Sequence, residues 1–210
     1  MTRVVVAGGS GLLGSTLVPY LQGSGLDVRA VSSRNAPERV DFTDPETATT
    51  FLDAAAPDVI VNLIALTNVD ECERNPTRAY ELNTLVVENI ARWVGVRHGD
   101  CRLIQISTDQ LYDGVGPHAE DQVRPVNYYA FSKYAGELAA RRENSTILRT
   151  NIFGRSACPG RVSFSDWLVR VLRAREPTTV FDDVSFNPVT FETLSQIVAA
   201  VIDQIGRAHV

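Results

Sequence analysis

Cysteine is scarce and falls in no pairing pattern. Cys72, Cys101 and Cys158 are odd in number, far apart, and form no CxxC pair. This argues against a disulfide framework or a zinc site and makes a reduced, cytoplasmic setting the expectation. Histidine is equally sparse: His98, His118 and His209 show no HExxH spacing, so no metal is expected. Long hydrophobic runs are missing too. None reaches the roughly 18 residues of a membrane span. The start, Met1-Thr2-Arg3, leads straight into a strand-like run and lacks the apolar core of a signal peptide. Basic charge is in deficit, with 20 Lys and Arg against 25 Asp and Glu and a net charge of −5. Such a surface does not suit a general binder of phosphate backbones, so no nucleic-acid partner is expected. Internal repeats and low-complexity tracts are absent. What remains is ordinary globular composition, 44% hydrophobic and 21% charged over 210 residues, which fits one large domain or somewhat more.

Strand-like and helix-like segments alternate along the chain. Arg3–Ala7 is a β-branched run ending in glycine, and Leu12–Leu21 has helical apolar spacing. Val28–Ser32 reads as a strand and Pro45–Ala55 as a helix, with Asp44 a candidate cap. Val59–Leu66 is an unbroken apolar run, as in a strand buried on both faces. There follow a long helix at Pro76–Val94, a buried strand at Leu103–Ser107, a helix at Tyr129–Arg142 and a strand at Ser145–Arg149. A helix at Ser165–Ala174, a short strand at Thr178–Phe181 and a last helix at Thr193–Ile205 complete the pattern. Alternation of this kind predicts an α/β fold with a doubly wound parallel sheet, the Rossmann arrangement. The polar, Gly- and Pro-containing stretches Asp113–Asn127 and Gly154–Val162 both follow strands, on the edge where open α/β sheets bind ligands.

The glycine run Gly8-Gly9-Ser10-Gly11-Leu12-Leu13-Gly14 fits two templates at once, GxGxxG from Gly9 and GxxGxxG from Gly8. It follows a strand and opens a helix, the context a dinucleotide site requires. A turn without Cβ atoms lets the backbone approach a pyrophosphate, and the helix N-terminus supplies N–H donors to it. Gly8, Gly11, Leu12, Leu13 and Gly14 are the candidate phosphate residues. An NAD site often places an acid near the end of the second strand. Here the chain has Ser32-Ser33-Arg34 instead. Ser33 and Arg34 suit a ribose 2′-phosphate, so NADP(H) is favoured, with NAD(H) the alternative. Asp41 and Phe42 are candidates beside the adenine, and Asp44 competes as a plain helix cap.

Tyr129 and Lys133 stand four residues apart, on one face of a predicted helix. A nearby ammonium favours a phenolate, so the pair predicts a lowered tyrosine pKa and a proton donor to a carbonyl. Thr108, at the end of the Leu103–Ser107 strand, can hydrogen-bond the same oxygen. Cys72 has no neighbouring base in the sequence, and the acidic run Asp70, Glu71, Glu73 has no metal spacing.

Two longer runs carry a resemblance, Ser107-Thr108-Asp109-Gln110-Leu111-Tyr112-Asp113-Gly114 and Pro125–Glu137. With Asn62–Asp70, Glu81-Leu82-Asn83, Leu148-Arg149-Thr150, Phe181-Asp182-Asp183 and Asn187–Thr190, they resemble the dTDP-4-dehydrorhamnose reductase family of extended short-chain reductases. The resemblance runs from residue 4 to about 200. It implies a catalytic triad of Thr108, Tyr129 and Lys133. It places Ala65, Asn83, Lys133 and Thr150 around the cofactor, and Thr67, Val69, Thr108, Asp109, Tyr129 and Asn151 around a nucleotide-sugar substrate. The implied reaction is NADPH-dependent reduction of the 4-keto group of a nucleotide-linked 6-deoxy sugar. Alternatives in the same fold are an epimerase or dehydratase. A non-catalytic NADP-binding subunit is a further one, since Gly11-Leu12-Leu13-Gly14 also resembles the methionine adenosyltransferase β subunit. Leu66 departs from the family, which commonly has a polar residue there. Whether the chain forms a homodimer stays open. The expected division is a cofactor domain at 1–150, a partial substrate region at 151–204 and a non-native tail at 205–210. That tail, Ile205–Val210, reads like translated adapter DNA, so the natural protein is expected to continue after Gln204.

Overall fold

The computed structural model describes residues 1–34, 36–96, 101–141, 144–180 and 187–207. Seven strands form one sheet in the order β3-β2-β1-β4-β5-β6-β7. They are β1 (Arg3–Ala7), β2 (Asp27–Ser32), β3 (Glu38–Arg39), β4 (Val59–Asn62), β5 (Arg102–Thr108), β6 (Ser145–Phe153) and β7 (Pro188–Thr190). Every pairing is parallel. The helices are α1 (Gly14–Gly23), α2 (Pro45–Ala55), α3 (Val69–Arg74), α4 (Pro76–Tyr80), α5 (Val86–Val96), α6 (Tyr128–Ala140), α7 (Phe164–Ala174) and α8 (Phe191–Arg207).

Side chains alternate across the sheet and bury on both faces. Val4 and Val6 join Val59, Val61, Ile104 and Ile106 against Leu17 and Leu21 of α1 and Leu194 and Val198 of α8. Val5 and Ala7 join Ile60 and Leu103 on the other face, against Leu52 of α2 and Val87, Ile90 and Trp93 of α5. Leu17 and Leu21 are wholly buried, each worth about 1.5–3 kcal/mol of transfer free energy.

Two departures from the sequence pattern shape the cleft. The apolar run from Val59 leaves the sheet after Asn62, because side chains capture its backbone. Ile64 N–H donates to Asn62 Oδ1 at 3.1 Å, and Leu66 N–H to Asn83 Oδ1 at 2.8 Å. The expected helix at Pro76–Val94 is interrupted by a π-helical turn at Glu81–Leu85 that carries Asn83. The short pieces α3, β3 and β7 are additions to the expected pattern. The strand expected at Thr178–Phe181 is absent over 178–180, where the backbone is irregular. Phe181, Asp182 and Asp183 lie outside the described residues, as do His98 and His209. Among the described residues no helix is long and apolar enough to cross a membrane.

Candidate active site

The strand order reverses direction of growth between β1 and β4, and the crevice at their C-terminal ends is where a doubly wound sheet binds ligands. The glycine turn fills one side of that crevice. Gly8 has φ +85°, and a Cβ there would stand 3.0 Å from Ile64 N. A Cβ on Gly14 would meet Gly9 O at 2.3 Å, so α1 sits directly on the turn. Gly8 and Gly9 donate to Val31 O, and Ser10 N–H to Ser32 Oγ at 3.1 Å. The N–H groups of Leu12 and Leu13 find no acceptor among the described residues. A cradle without side chains, two free amides and a helix N-terminus together fit a pyrophosphate, and hence a dinucleotide.

The 2′-phosphate candidates are placed unequally. Ser32 is buried and committed to Ser10, whereas Ser33 and Arg34 are exposed beside the turn, with Ser10 Oγ donating to Arg34 O at 3.2 Å. Asp41 is exposed, and its carboxylate accepts from Thr43 N–H at 2.9 Å. Phe42 corrects an expectation. Its ring is 1% exposed in the core, edge-on to Phe51, so only its backbone can face an adenine. Asp44 caps α2, accepting from Thr47 N–H at 2.9 Å.

Thr108, Tyr129 and Lys133 converge from β5 and α6, all of them buried. Asn127 caps α6 by accepting from Ala130 N–H at 2.8 Å, and Glu73 of α3 accepts from Tyr128 N–H at 2.6 Å. The helix start is thus held one residue from the phenol. Burial pushes the Tyr129 pKa up, and the hydrogen bond from Thr108 pulls against it. The expected lowering by Lys133 is not what this structure shows, because the Lys133 ammonium turns to the Ile106 carbonyl at 2.7 Å. Lys133 is the only lysine in the chain. Burial lowers its pKa to about 8, against a smaller opposing pull from Glu137.

Behind these groups lies a polar brace that motif spacing does not announce. Asn62 Nδ2 donates to Gln105 Oε1 at 2.8 Å, and Gln105 Nε2 donates to Ile106 O at 2.9 Å. Asn83, expected at the cofactor, is 1% exposed and engaged inward. Its Nδ2 donates to Leu66 O and Ser132 Oγ, and its Oδ1 accepts from Leu66 N–H. It therefore positions the segment after β4 rather than facing the crevice. Gly136 is needed here as well, since a Cβ would lie 2.2 Å from Asn83 O. Gln105 shows in the sequence only as a polar residue between Ile104 and Ile106, while Asn62 and Ser132 fall within the runs that carry the family resemblance without being marked as a brace.

The remaining substrate candidates lie along the same edge. Asn151 Nδ2 donates to Asp109 Oδ1 at 3.3 Å, and burial raises the Asp109 pKa. Thr150 is half-buried next to Asn151, opposite Thr108 in the β5–β6 register. Ala65 is half-buried and Thr67 exposed on the segment after β4, and Val69 packs on a small cluster of Cys72, Ala79 and Tyr129. No group of three His, Cys, Asp or Glu among the described residues has the placement to hold a metal.

An open parallel sheet with a glycine cradle and a Thr–Tyr–Lys set at its switch point defines a Rossmann protein of the extended short-chain dehydrogenase/reductase type. Residues 1–209 match the RmlD substrate binding domain, and the chain belongs to that family. It is 33% identical over 198 residues to a probable low-salt glycan biosynthesis reductase, Agl14, of Haloferax volcanii, covering 87% of this chain and 65% of that protein. It is 31% identical over 218 residues to a dTDP-4-dehydrorhamnose reductase of Mycobacterium tuberculosis, covering 99% of this chain and 68% of that protein. The crystal structure of a dTDP-4-dehydrorhamnose reductase from Bacillus anthracis in complex with NADP superposes with a TM-score of 0.85 at 25% identity. That match covers 98% of this chain and 72% of the other. The chain thus spans about two thirds of the length of these curated relatives.

Proposed function

We propose that this chain carries the coenzyme site and catalytic groups of an NADP(H)-dependent reductase acting on the 4-keto group of a nucleotide-linked 6-deoxy sugar. The observation that carries this reading is the convergence of Thr108, Tyr129 and Lys133 beside the glycine cradle, with a phenol that burial keeps protonated. The names of the relatives support the substrate class.

Leu12 and Leu13 N–H groups, with Ser33 and Arg34, are the groups that would hold the pyrophosphate and 2′-phosphate. When bound, the nicotinamide supplies the hydride. The chain's own residues supply the rest. Tyr129 Oη holds a proton at neutral pH and gives it to the substrate oxygen as negative charge builds there. Thr108 Oγ1 donates to the same oxygen. The Lys133 ammonium has one of its three N–H groups on Ile106 O, which leaves donors for a ribose hydroxyl and for the charge on the phenol after transfer.

The test is NADPH oxidation with dTDP-4-dehydrorhamnose by the parent and by Tyr129→Phe, with coenzyme binding followed by nucleotide fluorescence. Loss of the acid is expected to lower turnover about 100- to 10,000-fold while binding persists. Equal turnover in the two proteins would refute the role of Tyr129. Coenzyme binding without turnover in the parent would overturn the reductase reading in favour of a dinucleotide-binding subunit.

A further inference from the structure

One buried ion pair stands directly behind the catalytic helix and is used by nothing described so far. Glu137 lies one turn beyond Lys133 on α6, and its side chain is 1% exposed. Arg149 of β6 grips it: Nε donates to both carboxylate oxygens at 3.0 and 3.2 Å, and Nη2 donates to Oε2 at 2.7 Å. Two further contacts fix the guanidinium from outside. Nη1 donates to Tyr112 Oη at 2.8 Å and to Glu120 O at 2.6 Å, and the guanidinium carbon lies 5.3 Å from the Tyr112 ring centre. One arginine thereby joins β6, the catalytic helix and the loop that connects Thr108 to that helix.

The position of this pair matters because of what lies one turn away. The Lys133 ammonium is buried, and Glu137 is the charged group that acts on it directly. The other titratable groups near the site act elsewhere: Cys72 and Asp109 bear on Tyr129, and Tyr112 on Arg149. A lone buried carboxylate at helical i,i+4 spacing would attract the lysine proton strongly. A carboxylate already clamped by a guanidinium attracts it far less. The planar fork makes this possible, since a lysine in its place has no geometry for five simultaneous contacts.

We propose that Arg149 is a positioning residue of the site, which acts on Lys133 through Glu137. It neutralises the carboxylate beside the catalytic ammonium and so keeps the lysine able to exchange its proton with the phenol near neutral pH. The importance of that exchange rests on the reductase reading, but the electrostatic claim does not, and it is measured without coenzyme or substrate.

Because Lys133 is the only lysine, protein labelled with 13C-lysine gives a single ε-carbon resonance whose titration needs no assignment. The pH midpoint of that resonance is expected to rise by about one unit or more in Arg149→Gln, where Glu137 is left uncompensated. In Glu137→Gln it is expected to fall. The double variant Glu137→Gln/Arg149→Gln removes both members of the pair and so leaves neither the carboxylate nor the guanidinium uncompensated, which keeps the test open where a single variant fails to fold. Its midpoint is expected at or below that of the parent. A midpoint that does not move in folded Arg149→Gln overturns the proposal, as does a double variant whose midpoint rises. NADPH turnover, recorded separately, tells a failure of this electrostatic coupling from a failure of the reductase reading.

Discussion

Replacing Lys133 by methionine should make the folded protein more stable while removing its chemistry. The side chain is 4% exposed, and burial lowers its pKa from 10.5 to about 8. That difference of about 2.5 pH units, at 1.36 kcal/mol per unit, means that holding a charged lysine here costs about 3 kcal/mol at pH 7. Methionine has nearly the same length and needs no proton. The Ile106 carbonyl keeps a donor, since Gln105 Nε2 reaches it at 2.9 Å. Part of the gain is lost with the hydrogen bond from the ammonium, so a net stabilisation of about 1–3 kcal/mol is expected. At about 2–4 °C per kcal/mol for a chain of this size, Tm should rise by several degrees. The pH dependence fixes the cause. Between pH 8 and 10.5 the unfolded chain binds more protons at this lysine than the folded one, so the parent gains stability as pH rises through that window. Lys133→Met lacks that gain. Its advantage should therefore be full below pH 8 and should shrink toward pH 10. Urea unfolding at pH 7, 8.5 and 10 measures this. A variant less stable than the parent at pH 7, with a gap that stays constant across the series, would refute the reasoning.

Two further outcomes follow from the same geometry. Arg34→Ala should weaken NADPH binding about 10- to 100-fold and leave NADH nearly unchanged, the loss expected for one charge-assisted phosphate contact; equal losses for the two coenzymes in a binding titration would remove Arg34 from the 2′-phosphate. The thiols should also separate under a thiol-specific reagent. Cys158 is half-exposed on the loop that lies over the glycine turn, with Sγ donating to Ser10 O at 3.3 Å, and should react first. Cys101 is buried with its pKa pushed up to about 12, and Cys72 is buried with its pKa also raised, so both should wait for unfolding. NADPH should slow the first reaction, and a rate indifferent to NADPH would separate Cys158 from the coenzyme site.

Much of this architecture is legible in the sequence, and what is not has physical reasons. β1 and α2 occupy the residues their patterns mark, because each carries a full period and a clean stop: a glycine after Ala7, and Asp44 ahead of Pro45. The strand from Val59 is overextended by pattern alone. Leu63, Ile64 and Leu66 are apolar enough for a strand, but Asn62 takes the Ile64 N–H and Asn83 takes both backbone groups of Leu66, which is tertiary information. The two-residue β3 and the three-residue β7 are too short to show any period. At the site, Thr108, Tyr129 and Lys133 are readable because a helix face and a strand end constrain their spacing. The Arg149–Glu137 pair is not, since only the packing of β6 against α6 brings the two together.

The illegible residues share one task. The parallel strands β1 and β4 end at the crevice, and such an ending leaves backbone groups that regular pairing no longer satisfies. Buried groups of that kind cost about 1–3 kcal/mol apiece when left unpaired. Leu66 N–H and C=O are both met by Asn83, Ile64 N–H by Asn62, and Ile106 C=O by Gln105 and Lys133. The same side chains tie the segments to one another, so satisfying the backbone also fixes the crevice. An apolar isostere such as leucine at position 83 would orphan the Leu66 N–H, leave the Leu66 carbonyl to the weak Cys72 thiol donor at 3.5 Å, and remove the side-chain bond from that region to Ser132 of α6. The geometry of the crevice thus depends on amides engaged with neighbouring protein groups, a role that motif spacing does not reveal.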